Sequence, residues 1–169
     1  HYYTRSASEE DSLNCILELC NKVEKEQILI FANSIEKVDL IFNFLKSKRI
    51  ECRLYHSNLT LTQKGYIIYE YRSNKIKAIT GTYVLSRGID LPNTFLVINY
   101  QVPLFDSNII QKVSLPENDV YDHCASRAGR FGRKGICFTI TTNNQEEEML
   151  LKFCSDIFLT FIDQNQIKS

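Results

Sequence analysis

Five short apolar runs alternate with amphipathic stretches along most of this chain, and that alternation limits its fold more than any other feature. "QILIFA" (27–32) is apolar almost throughout, as a strand covered on both faces must be. "ECRLYH" (51–56), "KAITGT" (77–82), "FLVINY" (95–100) and "GICFTITT" (135–142) read as further strands. Leu13, Ile16, Leu17, Cys20 and Val23 recur at helical period behind Ser8 and Asp11, which have the spacing of a capping box. Asn33 and Ser34 are cap residues for a second helix, whose buried face carries Val38, Ile41, Phe42 and Leu45. A third helix is predicted over 61–72 despite Gly65, and a closing one over 145–157 with acidic residues in its first turn. Strands alternating with helices imply a mostly parallel sheet with helices on both faces, which binds ligands at the carboxyl ends of its strands.

At 169 residues the chain is expected to be one domain, 1–169, with an ordered excursion at about 104–118 that exceeds the usual α/β connection. The opening "HYYTRS" reads as a domain boundary. Lys plus Arg and Asp plus Glu each number 20, so no bulk charge advertises a polyanion partner; any such reading rests on local arrangement. No apolar run approaches the roughly 20 residues that span a bilayer, and no membrane partner is expected. The six cysteines show no metal-ligand spacing and read as reduced, buried thiols, which favours cytoplasm or nucleus.

"YDHCASRAGRFGRKG" (121–135) sets Arg127 and Arg130 three residues apart, on one face if that stretch is helical. It precedes one strand, and "TGTYVLSRGID" (80–90) follows another, so both are expected along one sheet edge. A carboxylate at Asp90 suits ribose hydroxyls, and guanidinium groups match phosphate oxygens. No G-x-x-x-x-G-K-[ST] phosphate loop exists in the chain, so the rest of such a site must come from another domain.

"ILIFANS", "RGID" and "HCASRAGR", in this order and at these intervals, resemble three motifs of the carboxy-terminal RecA-like lobe of DEAD-box RNA helicases. The resemblance runs nearly end to end. It implies a three-layer RecA-like domain closing with an N-terminal RecA-like lobe on ATP and single-stranded RNA. By the same resemblance Arg127 and Arg130 are arginine fingers for the γ-phosphate. Gly88 and Asp90 meet the ATP ribose, Phe131 meets adenine, and His123 links to the partner lobe. Asn33, Ser34, Thr82 and Arg87 contact the RNA backbone without reading bases. Mg²⁺ would bind with ATP on the N-terminal lobe, no metal site is expected here, and the isolated domain would be inactive.

The length of the excursion, with "VLSRGIDLPNT", is also similar to the subgroup acting in messenger-RNA export, and a protein regulator is expected to dock on 104–118. Cys124 stands where the family has arginine, Tyr83 where it has a small polar residue, and Thr62 and Lys64 where it offers Gln and Arg. These departures motivate an alternative, a degenerate lobe serving as an RNA or protein scaffold. A DNA helicase lobe of the same superfamily is the third reading.

Overall fold

All six residues of 27–32 are buried, and the segment is an interior strand of a parallel sheet. The computed structural model describes residues 1–86, 89–103, 117–129, 132 and 134–168. Its strands are β1 (Tyr2–Arg5), β2 (Gln27–Ala32), β3 (Cys52–Tyr55), β4 (Ala78–Thr82), β5 (Thr94–Tyr100), β6 (Ile136–Thr141) and β7 (Thr160–Phe161). Its helices are α1 (Glu9–Lys22), α2 (Ile35–Ser47), α3 (Leu61–Arg72), α4 (Glu117–Ala125), α5 (Asn144–Phe153) and α6 (Gln164–Lys168), with a 3-10 turn at Tyr83–Ser86. The sheet order is β3-β4-β2-β5-β6-β1-β7, and all pairings between the described strands are parallel.

Side chains alternate across each strand, so one sheet feeds two apolar layers. Ile28, Ile30 and Ala32 of β2 join the layer with Ile16 of α1, Ile41 of α2 and Ile167 of α6. Leu29 and Phe31 join the opposite layer, with Tyr71 of α3, Tyr121 of α4 and Leu150 of α5. Ile28, Leu29, Ile30 and Phe31 are each 0% exposed, and full burial of a side chain of this size contributes on the order of 1.5–3 kcal/mol. Helices therefore cover both faces, and the three-layer α/β arrangement expected from the sequence is the one observed.

Local chemistry sets the helix starts. Ser8 and Ser34 accept from the amides of Asp11 and Lys37, at 3.1 and 3.3 Å. Thr60 and Gln63 form a reciprocal capping box that starts α3, which tolerates Gly65 in its interior. All six cysteines are buried and none is in a disulfide.

Two elements differ from expectation. "HYYTRS" is not merely a boundary: Tyr2–Arg5 is β1, held between β6 and β7. The closing helix ends at Phe153, capped by Cys154, and β7 and α6 follow it. The excursion at 104–118 lies outside the described residues as far as 116, and 117 and 118 open α4.

Candidate functional site

The predicted site residues that the structure describes fall into two groups. The first lies at the carboxyl ends of neighbouring strands. Ala32 and Thr82 are register partners on β2 and β4, so Asn33 and Ser34, just beyond β2, sit beside Thr82. Asn33 Nδ2 donates to the Val102 carbonyl at 3.0 Å, tying the end of β2 to the end of β5. Ser34 caps α2 and points that helix's amino end along the same edge. A cluster of short polar side chains and helix-start amides suits phosphate oxygens.

Tyr83 braces this edge. Its half-buried ring stacks on Phe31, with centroids 5.6 Å apart and planes at 16°, and its hydroxyl donates to the Gln101 carbonyl at 3.3 Å. Burial, more than any charge, holds the Tyr83 hydroxyl pKa well above its ordinary value. Gln101 has φ of 76°, a left-handed conformation uncommon for a non-glycine residue. The bonds to Gln101 and Val102 hold that turn in place. Sequence reading missed Gln101 because no glycine or asparagine marks the position.

The second group lies on the α3–α4–α5 face. Tyr121, Cys124 and Ala125 turn toward the core, which leaves His123 exposed in the last turn of α4. The helix ends at Ala125, so Arg127 lies beyond it, and the shared face expected if the stretch were helical involves Arg130, outside the described residues. Instead the Arg127 amide bonds back to the Cys124 carbonyl at 3.1 Å, and the side chain follows Cys124 inward. Arg127 is 7% exposed, and its Nη1 donates to the Ile89 carbonyl at 2.6 Å, a charge-assisted bond. Asp90 is exposed, and its carbonyl accepts from Arg72 Nε at 3.0 Å and Nη2 at 2.5 Å.

Glycines shape the loop after Arg127. Gly129 has φ of 71°, and its amide donates to the carbonyl of Thr94, the first residue of β5, at 3.2 Å. A Cβ placed on Gly135 would lie 2.2 Å from the Gly129 nitrogen, so the two backbones meet where no side chain fits. This contact fixes where the motif leaves α4.

The expectation of one common sheet edge is corrected. A segment following a parallel strand begins at the carboxyl edge, while a segment preceding one ends at the amino edge. The two meet because Ile89–Leu91 lies beside α3 at the start of β5, where Leu91 and Gly129 both bond to Thr94. Asp90 and Arg127 therefore belong to one locality, and Asn33, Ser34 and Thr82 to another. Arg87, Gly88, Arg130 and Phe131 lie outside the described residues. Cys124, where the resemblance leads one to expect arginine, is 0% exposed. Arg72 was not anticipated: a basic residue in a helix's last turn reads as a surface position favoured by the dipole.

The family model for the helicase conserved C-terminal domain matches residues 11–132. This chain belongs to that family. The ATP-dependent RNA helicase eIF4A of Saccharomyces cerevisiae (strain YJM789) is 30% identical to it over 156 residues, which is 91% of this chain and 36% of that protein. S. cerevisiae Dbp5 bound to RNA and ADP BeF3 superposes with a TM-score of 0.86 at 26% identity, over 99% of this chain and 42% of that one. The C-terminal domain of the DEAD-box protein Dbp5 matches with a TM-score of 0.83 at 25% identity, over 99% of this chain and 96% of the other. The sequence and fold of this chain are similar to those of the C-terminal domain of DEAD-box RNA helicases. The chain spans about a third of the length of the eIF4A relatives it matches.

Proposed function

We propose that this domain is the second lobe of an ATP-dependent RNA helicase. It closes with an N-terminal RecA-like lobe on ATP and single-stranded RNA. The observation that carries the reading is the meeting of Arg127 with the Ile89–Asp90 segment, which brings a guanidinium and a carboxylate-bearing residue into one locality without a phosphate loop of their own. The naming of S. cerevisiae eIF4A as an ATP-dependent RNA helicase, and of a Dbp5 structure holding RNA and ADP BeF3, supports both ligands.

On closure Arg127 leaves the Ile89 carbonyl and turns to the γ-phosphate with Arg130. A hydrogen bond to a charged group is worth roughly 1.5–3 kcal/mol, which a phosphate contact in a water-poor interface offsets. The two guanidiniums then neutralise charge on the phosphoryl oxygens as the bond to the leaving group loosens. Asp90, with the Gly88 backbone, accepts ribose hydroxyls, Phe131 packs on adenine, and His123 meets the other lobe. Asn33, Ser34, Thr82 and Arg87 hold the RNA backbone, and bending of that strand disrupts duplex pairing. Among the described residues no three His, Cys, Asp or Glu side chains gather as a metal site. In this reading Mg²⁺ arrives with ATP on the N-terminal lobe. A protein regulator on 104–118 and a role in messenger-RNA export, in cytoplasm or nucleus, extend the reading, the latter supported by the likeness to Dbp5.

A second reading, a non-catalytic scaffold lobe, draws on Cys124, a buried thiol where the family offers arginine. ATP turnover by the full-length protein separates the readings. A catalytic helicase shows ATPase stimulated by RNA and not by DNA of the same sequence, while residues 1–169 alone show none. Absence of turnover with an RNA complex still formed supports the scaffold, and equal stimulation by DNA supports the DNA helicase reading.

A further inference from the structure

We propose that Arg72 is a positioning residue for the nucleotide, holding the Asp90 main chain so that its carboxylate is presented to the ribose. The inference rests on the reading of Asp90 as a ribose acceptor, and goes beyond it by naming the group that sets Asp90's place.

Two successive carbonyls of one irregular segment are held by two guanidiniums, one from the end of α3 and one from the turn after α4. Arg127 Nη1 reaches Ile89 O at 2.6 Å, and Arg72 directs Nε and Nη2 at Asp90 O at 3.0 and 2.5 Å. The Arg72 contact uses the main-chain oxygen, so it fixes the backbone without engaging the carboxylate. Asp90 and Arg72 share an open cleft of about 460 Å³ with Tyr55, Lys64, Ile68 and Tyr69, and the Asp90 side chain is exposed there.

The base from which Arg72 reaches is rigid. Its neighbour Tyr71 is 0% exposed, and the Tyr71 hydroxyl is hydrogen-bonded to Thr94 Oγ1 at 3.0 Å. The Tyr71 carbonyl accepts from Gln27 Nε2, inside the sheet. Two residues before Arg72, Glu70 accepts from both Nε and Nη2 of Arg53, each at 2.8 Å, fastening α3 to β3. The end of α3 is thus tied to three strands, and Arg72 carries that rigidity to Asp90. When Arg127 gives up Ile89 for phosphate, Arg72 remains to hold the segment. A side chain on solvent that spends two donors on one main-chain oxygen is otherwise unexplained by packing.

The test is made in the full-length protein with saturating RNA, comparing kcat/KM for ATP with kcat/KM for 2′,3′-dideoxy-ATP, which lacks the ribose hydroxyls. Wild type is expected to favour ATP, and Asp90→Ala to bring the ratio close to one. Arg72→Gln is expected to lower the ratio by about tenfold, the size of one charge-assisted hydrogen bond, with Arg72→Lys in between. Asp90→Ala with Arg72→Gln is expected to be no worse than Asp90→Ala alone. If Arg72→Gln weakens both nucleotides equally while Asp90→Ala still removes selectivity, Arg72 is merely structural and the inference is overturned with the ribose reading intact. If Asp90→Ala leaves selectivity unchanged, the ribose reading falls and the inference with it. Should Arg72→Gln fail to fold, the Arg72→Lys ratio decides: unchanged selectivity overturns the proposal, and a partial loss supports it.

Discussion

At position 124 a fully buried thiol packs in the same apolar layer as Tyr83 and Tyr121. Restoring the family's arginine there would place a guanidinium among apolar groups. Cys124→Arg is therefore expected to destabilise the domain by about 3–5 kcal/mol, the range for an uncompensated buried charge. Urea unfolding of residues 1–169 measures it, and an unchanged midpoint would show that α4 can turn this side chain out to solvent. Arg127, Asp90 and His123 are singled out in the sequence by motif order and spacing, which do not depend on their surroundings. The burial of Arg127 was not legible there, because it depends on α4 ending two residues earlier. Arg72 and Gln101 were illegible for a related reason: what distinguishes them is a main-chain oxygen or a φ angle supplied by residues distant in sequence.

Among the elements, α3 and the loop after α4 make opposite predictions about glycine. Gly65 lies within α3, and an added Cβ would meet nothing within 4 Å. Gly65→Ala should stabilise the domain by about 0.5–1 kcal/mol through helix propensity, read as a higher urea midpoint. Gly135→Ala should destabilise it by more than about 1 kcal/mol, because its Cβ would collide with the backbone at Gly129. It should also lower ATP turnover in the full-length protein, since that contact places the loop following Arg127. The interior strands were legible as elements because burial on both faces leaves a continuous apolar run, as in β2. The strands missed lack that signature: β7, at the sheet edge, has two residues, both exposed, and β1, though paired on both sides, mixes buried Thr4 with exposed Arg5. The overlong final helix came from apolar residues that continue past Phe153, although Cys154 already caps it and Ile157 closes a turn onto the Cys154 carbonyl.

For the whole molecule, alternation of strand and helix was enough to read a parallel, helix-covered sheet. It could not reveal that β1 enters between β6 and β7, since strand order is decided by contacts between the chain's two ends. The same double-sided burial sets a pH limit. Desolvation raises the thiol pKa values of Cys20 and Cys137 to about 12 and of Cys52 to about 11, from an ordinary 9.0. Unfolding exposes these thiols, so above about pH 9 the unfolded chain holds fewer protons than the folded one and stability falls as pH rises. The urea midpoint should hold steady below about pH 8 and decline toward about pH 11; a flat profile would contradict burial of these thiols. The central claim, that this lobe completes a nucleotide site belonging to its neighbour, is tested most directly by RNA-stimulated ATPase of the full-length protein carrying Arg127→Ala. The account predicts a loss of roughly 10³-fold or more, as for removal of an arginine finger, and turnover close to wild type would contradict it.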